Sequence, residues 1–377
     1  MTVVHVLSLS AIGGVQNSFI PYIELAKLKS KLNHEICLTR RLGDDFSESN
    51  LGDYYMLKSI KGLFRLIYQI ISKNFIIHFY NSLGSKSIYN LLRFLPTSNI
   101  IFHERGSAWN SNSFNYKYFV KNANISDCII SNSNATKYFL VKKFRISKKK
   151  VSVIHNGLKP LNEKQKIINR FSEKISIGYL GRFETQKGIP SLINAAKILK
   201  KYNFYFGGYG SWESYIKDLI TDQNNIFLVG KINNSNEFLN KIDLLVVPSI
   251  REPFGNVIVE AGFSKKAVIA SNIDGIPEII FNNQLGYLID PKEEIDINFR
   301  PNNSLMYPEK VFNPVKKELV KPLQVNPQEL AMKIQEVAEN KSLRIKLGES
   351  LFKSVSNRFS LNKYFESTEK FYFERIK

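Results

Sequence analysis

The chain has 377 residues, too many for one ordinary hydrophobic core, so its length predicts two domains. Its 44% hydrophobic and 23% charged residues are those of a globular protein. The formal charge of +20 needs a cause. Nucleic acid, an anionic membrane surface and an anionic lipid-linked acceptor are candidate partners, and a lysine-rich proteome is the alternative explanation.

The N-terminus is apolar, but it has neither a basic segment nor a cleavage site, so residues 3–9 predict a first strand rather than a signal peptide. No window of 18 uninterrupted apolar residues occurs, which argues against a membrane-spanning helix. Cys37 and Cys128 lie far apart in strand-like stretches. We expect buried free thiols in a reducing cytosol, not a disulfide or a metal site.

The first half alternates predicted strands with predicted helices. After the first strand, Gly13 and Gly14 precede a helical pattern over residues 15–30, an arrangement that lets backbone approach a phosphate. The fingerprint G-x-G-x-x-G is absent, which argues against a nicotinamide or flavin enzyme. Further strands are predicted at residues 34–38, 75–79, 100–103, 128–131 and 151–155, typical of a parallel doubly wound sheet.

Residues 56–73 predict a basic amphipathic helix. Leu57, Ile60, Phe64, Ile67 and Ile71 fall on one face, and the flanks carry Lys58, Lys61, Arg65 and Lys73. Such a helix can lie on an anionic membrane surface. The alternative is an ordinary helix whose apolar face points at the core while its lysines are solvated.

The second half restarts the alternation after a polar linker that extends to about residue 173. Predicted strands are residues 174–180, 204–206, 226–229, 242–249, 267–271 and 286–289, with a helix over 190–200. Residues 291–325 contain several prolines and little periodicity, so they break the alternation and predict a long segment that is functional or partly disordered. Helices are then predicted at residues 327–340, 342–358 and 361–376.

Two loops of this second half could carry chemistry. Arg182 and Lys187 share a loop, and two cations near glycines can clamp a diphosphate. Glu252 lies in the loop after the strand at 242–249, and Glu260 is predicted about two turns along the helix that starts at Asn256. Loop amides there would face the crevice where open α/β sheets bind ligands. Scattered surface charges, a helix-dipole carboxylate and a solvated helix face are the alternatives.

The chain resembles the retaining nucleotide-sugar glycosyltransferases of glycosyltransferase family 4. The resemblance rests on the E-x7-E pattern with Pro-Phe-Gly-Asn inside it, on the Arg182/Lys187 loop, on residues 275–278 and on His155-Asn156-Gly157. It implies the α/β GT-B fold, with two doubly wound Rossmann-like domains facing a cleft. The acceptor-side domain would be residues 1–160 with the returning C-terminal helix 361–377. Residues 171–360 would bind the nucleotide sugar and carry the insertion at about 291–325.

The resemblance also implies roles for particular residues. Arg182 and Lys187 would hold the donor phosphates, Glu252 would contact the transferred sugar, and Glu260 would bind ribose hydroxyls. His103 would contact the sugar from the first domain, and Glu104 is a further candidate base. Backbone of the remaining donor-binding set would line the sugar, the diphosphate and the base: Gly13, Gly14, Gly181, Gly230, Ile232, Phe254, Gly255, Asn256 and Val257.

The activity implied is metal-independent, retaining transfer of a sugar from a nucleoside diphosphate, uridine diphosphate being the commonest, to a hydroxyl of a glycan or lipid-linked acceptor. No cofactor is implied, and the setting would be bacterial surface polysaccharide synthesis at the inner face of the cytoplasmic membrane. One alternative is an inactive sugar-nucleotide-binding subunit, and a second is a GT-B-fold epimerase. A nucleic-acid-binding protein is the third, although no recognisable nucleic-acid module is present.

Overall fold

The computed structural model describes residues 1–10, 16–43, 51, 53–72, 74–95, 99–106, 108–110, 112, 114–160 and 170–375. The chain divides into two compact units. Unit 1 comprises Met1–Lys159 and Phe359–Lys377, and unit 2 comprises Pro160–Arg358.

Unit 1 is an α/β unit built on a parallel sheet. Its described elements are β1 (Thr2–Leu7), α1 (Gln16–Lys29), β2 (Asn33–Leu38), β3 (Tyr54–Met56), α2 (Ile60–Ile71), β4 (Phe75–Tyr80), α3 (Lys86–Leu92), β5 (Ile100–Glu104), α4 (Tyr116–Ile125), β6 (Cys128–Ser131), α5 (Asn134–Lys142) and β7 (Val151–Val153). The strands pair in parallel in the order β3-β2-β1-β4-β5-β6-β7. This is the predicted doubly wound sheet.

Helices cover both faces of this sheet because successive strand residues point to opposite sides. On one face, the strands pack against α2, α3, α4 and α5. On the other face they pack against α1 and the C-terminal helix of the chain. Both cysteines, Cys37 and Cys128, lie buried in the strands as free thiols, and burial raises the pKa of each to about 12.

The helix predicted over residues 56–73 is shorter, and this is a correction. Met56 ends an edge strand that pairs with β2, and the helix begins only at Ile60. Ser59 caps it, because the Ser59 side chain accepts a hydrogen bond from the Gly62 N–H. Lys73 lies outside the described residues.

The second unit repeats the architecture. Its described elements are β8 (Ser176–Leu180), α6 (Ile189–Ile198), β9 (Asn203–Gly207), α7 (Glu213–Leu219), β10 (Ile226–Gly230), α8 (Ser235–Lys241), β11 (Leu244–Val247), α9 (Asn256–Phe263), β12 (Ala267–Ser271), β13 (Tyr287–Ile289), β14 (Val311–Asn313), β15 (Glu318–Val320), α10 (Pro327–Glu339) and α11 (Lys341–Arg358). Strands β8 to β13 pair in parallel in the order β10-β9-β8-β11-β12-β13.

Side-chain direction alternates along β8, the central strand on which the site is built, and residues 176–179 are all buried. Ile177 and Tyr179 point into the core that α6, α7 and α10 cover. Gly178 points to the opposite face, where a Cβ would lie 2.3 Å from the Ile242 side chain. A glycine is needed there because the chain at the end of α8 approaches the strand so closely.

Residues 291–325, predicted as an insertion, contain a β-hairpin. Strands β14 and β15 pair antiparallel, with Val311 opposite Val320. At the base of the segment, Glu293 and Gln324 form an antiparallel bridge closed by reciprocal N–H to C=O hydrogen bonds of 3.0 and 2.9 Å. Val311 is fully buried, so the hairpin packs on the unit.

The last helix, α12 (Leu361–Phe373), belongs to unit 1 and packs against α1. The Tyr372 hydroxyl lies 2.5 Å from His78 Nδ1, and the Tyr22 hydroxyl donates to Glu369 Oε1 over 3.2 Å. Leu158 anchors the start of the helix through backbone hydrogen bonds with Phe359 and Leu361. No helix in the described part of the chain combines the length and the apolar character needed to cross a bilayer.

We predict that Gly157→Ala destabilises unit 1. An added Cβ at this position would lie 2.2 Å from the Tyr364 Cβ, so α12 or the turn must shift. Overpacking of this kind costs about 1–3 kcal/mol, and the melting temperature should fall in a thermal denaturation scan. Gly84→Ala is the matched control, because no atom lies within 4 Å of its added Cβ. Equal melting temperatures for the two variants would contradict the prediction.

Candidate functional site

Two loops lie against each other where the neighbouring strands β8 and β11 end. The first loop, residues 181–188, follows β8, and the second, residues 248–255, follows β11. The N–H groups of Ile250 and Arg251 both donate to the Gln186 carbonyl, over 3.0 and 3.1 Å. Gly188 has φ +62°, and a Cβ there would lie 2.0 Å from the Pro248 carbonyl oxygen. Only glycine fits this contact, which keeps the loops together.

An ion pair links the side chains of the two loops. Lys187 Nζ lies 2.6 Å from Glu252 Oε2, and the two side chains are only 19% and 12% exposed. Arg182, in the same loop as Lys187, is exposed. The structure therefore places the predicted lysine and the predicted acid in direct contact, with one further cation on the same loop.

Several charged side chains of the two loops lie close enough to Tyr179 to affect its pKa. Burial raises the pKa of this tyrosine far above its usual value. The negative charges of Glu252 and Glu184 raise it further, and the positive charge of Arg182 lowers it. The Tyr179 hydroxyl donates to the Arg182 carbonyl over 2.9 Å and so fixes that residue's backbone. Sequence reasoning missed Tyr179, since it reads as an ordinary strand residue.

The second loop leads directly into α9. Gly255, with φ +107°, occupies the N-cap position and supplies no capping side chain. The helix begins at Asn256, and the first N–H groups of a helix have no partner within it. The positive end of the helix dipole there favours negative charge, and donor binding by the Phe254, Asn256 and Val257 amides stays a prediction.

The helix starts at Asn256 as predicted, but Glu260 is its fifth residue and so lies just over one turn into α9, not two turns along. Burial raises the pKa of its carboxyl to about 7, while a hydrogen bond with Ser235 opposes the rise. Ser235 starts α8, directly after the loop that follows β10. Glu260 therefore lies beside the segment that contains Gly230 and Ile232.

The glycines at the ends of β8, β9 and β10 bring together the rest of the backbone that was predicted to bind the donor. The Gly181 N–H donates to Gly207 O over 3.0 Å, and the Gly208 N–H donates to Gly230 O over 2.8 Å. Ile232 packs over the end of β9, where a Cβ on Gly207 would lie 2.8 Å from the Ile232 side chain. Gly230 has φ +80° and open space around its Cα, which leaves its backbone approachable.

Asp274 is a further site residue that the sequence did not single out. Its Oδ2 accepts the Glu252 N–H over 3.0 Å, and the Gly275 N–H donates to Glu252 O over 3.1 Å. Burial raises the pKa of this carboxyl, and the charge of the buried Arg251 opposes the rise. The signal in the sequence was the Asp-Gly dipeptide: Asp274 has φ +45°, which aspartate tolerates in turns.

The residues predicted from the first domain lie in unit 1. His103 is buried in β5, its ring stacked on His78 with centroids 5.4 Å apart, and burial lowers its pKa well below the usual value. Glu104 is buried too, and its carboxylate accepts the N–H groups of Gly106 and Ala108. Gly13 and Gly14 lie outside the described residues. The sugar-contacting role of His103 stays a prediction.

Comparison with known proteins finds a family similarity in the second unit. Residues 162–299 match the family described as "Glycosyl transferases group 1". An uncharacterised 41.2 kDa protein from the cps region of Klebsiella pneumoniae is 32% identical over 45% of this chain and 49% of its own. The capsular polysaccharide biosynthesis glycosyltransferase CapM of Staphylococcus aureus is 26% identical over 65% of this chain and 60% of its own. The chain thus spans about half of the first relative and somewhat more of the second.

Solved structures extend the similarity of fold to the whole chain. A glycosyltransferase from Rickettsia africae superposes with a TM-score of 0.72 and 22% identity, covering 100% of this chain and 98% of its own. Anabaena HepE in complex with UDP and glucose gives a TM-score of 0.70 at 17% identity, covering 99% and 100%. The chain therefore has the α/β GT-B fold of these structures, with two Rossmann-like domains, and residues 162–299 are similar to the group 1 glycosyl transferases.

Proposed function

We propose that the protein is a retaining glycosyltransferase of family 4 that moves a sugar from a uridine-diphosphate-linked donor to a hydroxyl of a glycan or lipid-linked acceptor. The ion pair between Lys187 and Glu252 carries the proposal. It sets a cation and an acid side by side at the ends of β8 and β11, next to the N-terminus of α9. A sugar joined to a diphosphate needs both: positive charge for the phosphates and an acceptor for the hydroxyls.

Each charged residue has a distinct part in the proposed reaction. Arg182 and Lys187 bind the diphosphate and neutralise the charge that develops on it. Glu252 accepts hydrogen bonds from hydroxyls of the transferred sugar. Glu260 accepts them from ribose hydroxyls, and the backbone at Gly230 and Ile232 meets the base.

The chemical step breaks the bond between the anomeric carbon and the diphosphate oxygen, and the electron pair leaves with the diphosphate. The acceptor hydroxyl attacks from the face that the leaving group vacates, through an oxocarbenium-like state, and its proton passes to the departing phosphate. Arg182 and Lys187 act where charge develops, which is the main catalytic effect proposed here. Glu104 of the first domain is a candidate for assisting the proton transfer.

Relatives support the setting of bacterial surface polysaccharide synthesis. The Klebsiella relative comes from a cps region, and CapM is named for capsular polysaccharide biosynthesis. HepE binds UDP and glucose, which supports a uridine donor. The alternative of an inactive accessory subunit is not favoured, because such a subunit has no need to retain Arg182, Lys187 and Glu252 together.

We also propose that α2 docks the protein on the inner face of the cytoplasmic membrane. Ile60, Phe64 and Tyr68 are 77%, 67% and 65% exposed and follow one another at helical spacing on one side of the helix. The buried side of α2 is the opposite one, through Leu66 and Ile70. On the face predicted from the sequence, Ile60, Phe64 and Ile71 are exposed, whereas Leu57 packs against the core.

Charge supports an anionic membrane as the occupant of this face. Lys58, Lys61 and Arg65 are exposed at the start of α2 and along it. Phe94, 74% exposed at the end of α3, lies on the same side of the sheet with Arg93 stacked on its ring. Apolar side chains flanked by cations are typical of helices that lie in the interface of an anionic bilayer.

A thermal-shift panel of UDP-glucose, UDP-galactose, UDP-N-acetylglucosamine, UDP-N-acetylgalactosamine and GDP-mannose identifies the donor, because a ligand of the folded state raises the melting temperature. With that donor, we predict that Glu252→Gln and Lys187→Ala each lower the rate of nucleoside diphosphate release by about 10²–10³-fold, since each removes a contact to the reacting group. Lys217→Ala, which breaks an exposed ion pair with Glu213 on α7, is the control and should keep full activity. Full activity in both site variants would remove the proposal.

We predict that donor affinity depends on the ionisation of Glu260. With a pKa of about 7, the carboxyl is mostly protonated below neutral pH and mostly ionised above it. If ribose hydroxyls donate to the ionised form, affinity should fall about tenfold between about pH 8 and about pH 6. The donor itself, rather than UDP, is the ligand to titrate by calorimetry, because a terminal phosphate titrates near roughly pH 6.

Glu260→Gln should bind more weakly and lose this pH dependence. The same slope in the variant and the wild type would show that another group titrates.

For the membrane, we predict that Lys58→Glu, Lys61→Glu and Arg65→Glu combined weaken flotation with vesicles that contain phosphatidylglycerol. Each basic residue at such a surface contributes about 1 kcal/mol. The matched control reverses the same amount of charge at Lys341, Lys346 and Lys353, which are exposed on α11 in unit 2. Phe64→Ser tests the apolar part. Flotation that is equal in all variants, or equal with phosphatidylcholine alone, would rule out this face.

A further inference from the structure

We propose that residues 291–325 act as a brace that holds the Arg182/Lys187 loop and the Glu252 loop in the arrangement that grips the donor, with Thr185, Glu184 and Asp274 as positioning residues. The inference rests on the proposed function. Leu305 of the segment bonds directly to the Arg182/Lys187 loop. Phe312, seven positions further on, bonds to Asp274, which in turn accepts the Glu252 N–H.

The first attachment fixes the Arg182/Lys187 loop. The Thr185 hydroxyl donates to Leu305 O over 2.6 Å, and the Trp212 indole N–H donates to the same hydroxyl over 3.3 Å. Glu184 Oε2 accepts from the Leu305 N–H and from the Ser211 hydroxyl. Thr185 is 2% exposed, so these bonds are shielded from water. They hold the backbone two residues before Lys187.

The second attachment fixes the Glu252 loop. Asp274 uses one oxygen for the Glu252 N–H and the other for the Phe312 N–H, over 3.0 and 2.7 Å. The Asp274 N–H donates back to Phe312 O over 2.9 Å. A buried carboxylate therefore joins β14 of the hairpin to the backbone of the very residue that pairs with Lys187.

The attachments form a closed circuit. It runs from Lys187 through its loop to Leu305, along the segment to Phe312, through Asp274 to Glu252, and back across the ion pair. A long flexible lysine and an acid on separate loops would otherwise be free to separate. Because a displacement of about 1 Å at a reacting group can cost on the order of 10²-fold in rate, a brace of this kind affects turnover directly.

Point variants test the first attachment. Thr185→Val keeps the shape of the side chain but removes the hydroxyl that bonds to Leu305, whereas Thr185→Ser keeps it. We expect Thr185→Val to lower kcat for nucleoside diphosphate release from the panel's donor by about 10- to 100-fold. Its Kd for uridine should stay within about twofold of wild type, since uridine lacks the diphosphate that Lys187 binds, and its ribose and base contact Glu260 and Gly230 outside the circuit. Thr185→Ser should restore most of kcat.

Asp274→Asn tests the second attachment. An amide retains one acceptor oxygen in place of two, so one of the N–H groups of Glu252 and Phe312 loses its partner. The same pattern is expected: reduced kcat with uridine affinity preserved. Lys321→Ala is the control within the segment, because Lys321 pairs with Glu294 in solvent, away from both loops.

Removal of the whole brace is possible because Glu293 and Gln324 are paired. Residues 294–323 can be replaced by Asn-Gly, the preferred loop for a tight antiparallel turn. If Thr185 acts through the segment, Thr185→Val should lower kcat no further in this excised protein, as expected for coupled residues. Should the excised protein fail to fold, the point variants decide alone.

The outcomes separate the inference from the proposed function. A wild-type protein that neither binds nor turns over any nucleotide sugar of the panel overturns both. If the wild type is active and Thr185→Val keeps kcat within about twofold while its melting temperature falls, the segment is structural only and the inference fails. It also fails if uridine affinity and kcat fall in parallel, which would indicate general loss of the site.

Discussion

The ion pair between Lys187 and Glu252 is the interaction on which the second unit's site depends. Two charges taken largely out of water are favourable only when they are paired in good geometry and hydrogen-bonded further. The fold meets this condition through backbone. Strands β8 and β11 are adjacent, Gly188 lets the loops touch, and the Gln186 carbonyl binds both Ile250 and Arg251.

The surroundings of this pair divide into a charged part and a backbone part. Arg182 and the N-terminus of α9 favour anions, whereas Gly230 at the end of β10 offers approachable main chain. Glu260 stands between them, its pKa raised by burial and its carboxyl joined to Ser235 beside β10. Charged groups thus lie on one side of the site and neutral backbone on the other. This arrangement matches the proposed nucleotide-sugar donor, which has charged phosphates and a neutral base.

Unit 1 uses polar groups differently, for internal cohesion. His5, His34 and His78 line up on neighbouring strands with Tyr22, Tyr80, Tyr372 and Glu369, and these side chains join α1 and α12 to the sheet. Burial lowers the pKa of His5 and His78 well below the usual value, so they pack as neutral rings. The outer surface of α2, by contrast, leaves large apolar side chains in solvent beside lysines.

The sequence by itself determined the alternation of strands and helices and both parallel sheets. It also placed four charged residues in one unit: Arg182, Lys187, Glu252 and Glu260. Buried strands and glycine turns carry local signals that need no partner to be recognised. Only the tertiary structure showed that Met56 lies in an edge strand, that the apolar face of α2 is exposed, and that Asp274 and Thr185 tie residues 291–325 to the site. These facts depend on contacts between residues far apart in the chain, and a pattern of neighbouring residues contains no information about which distant group will be the partner.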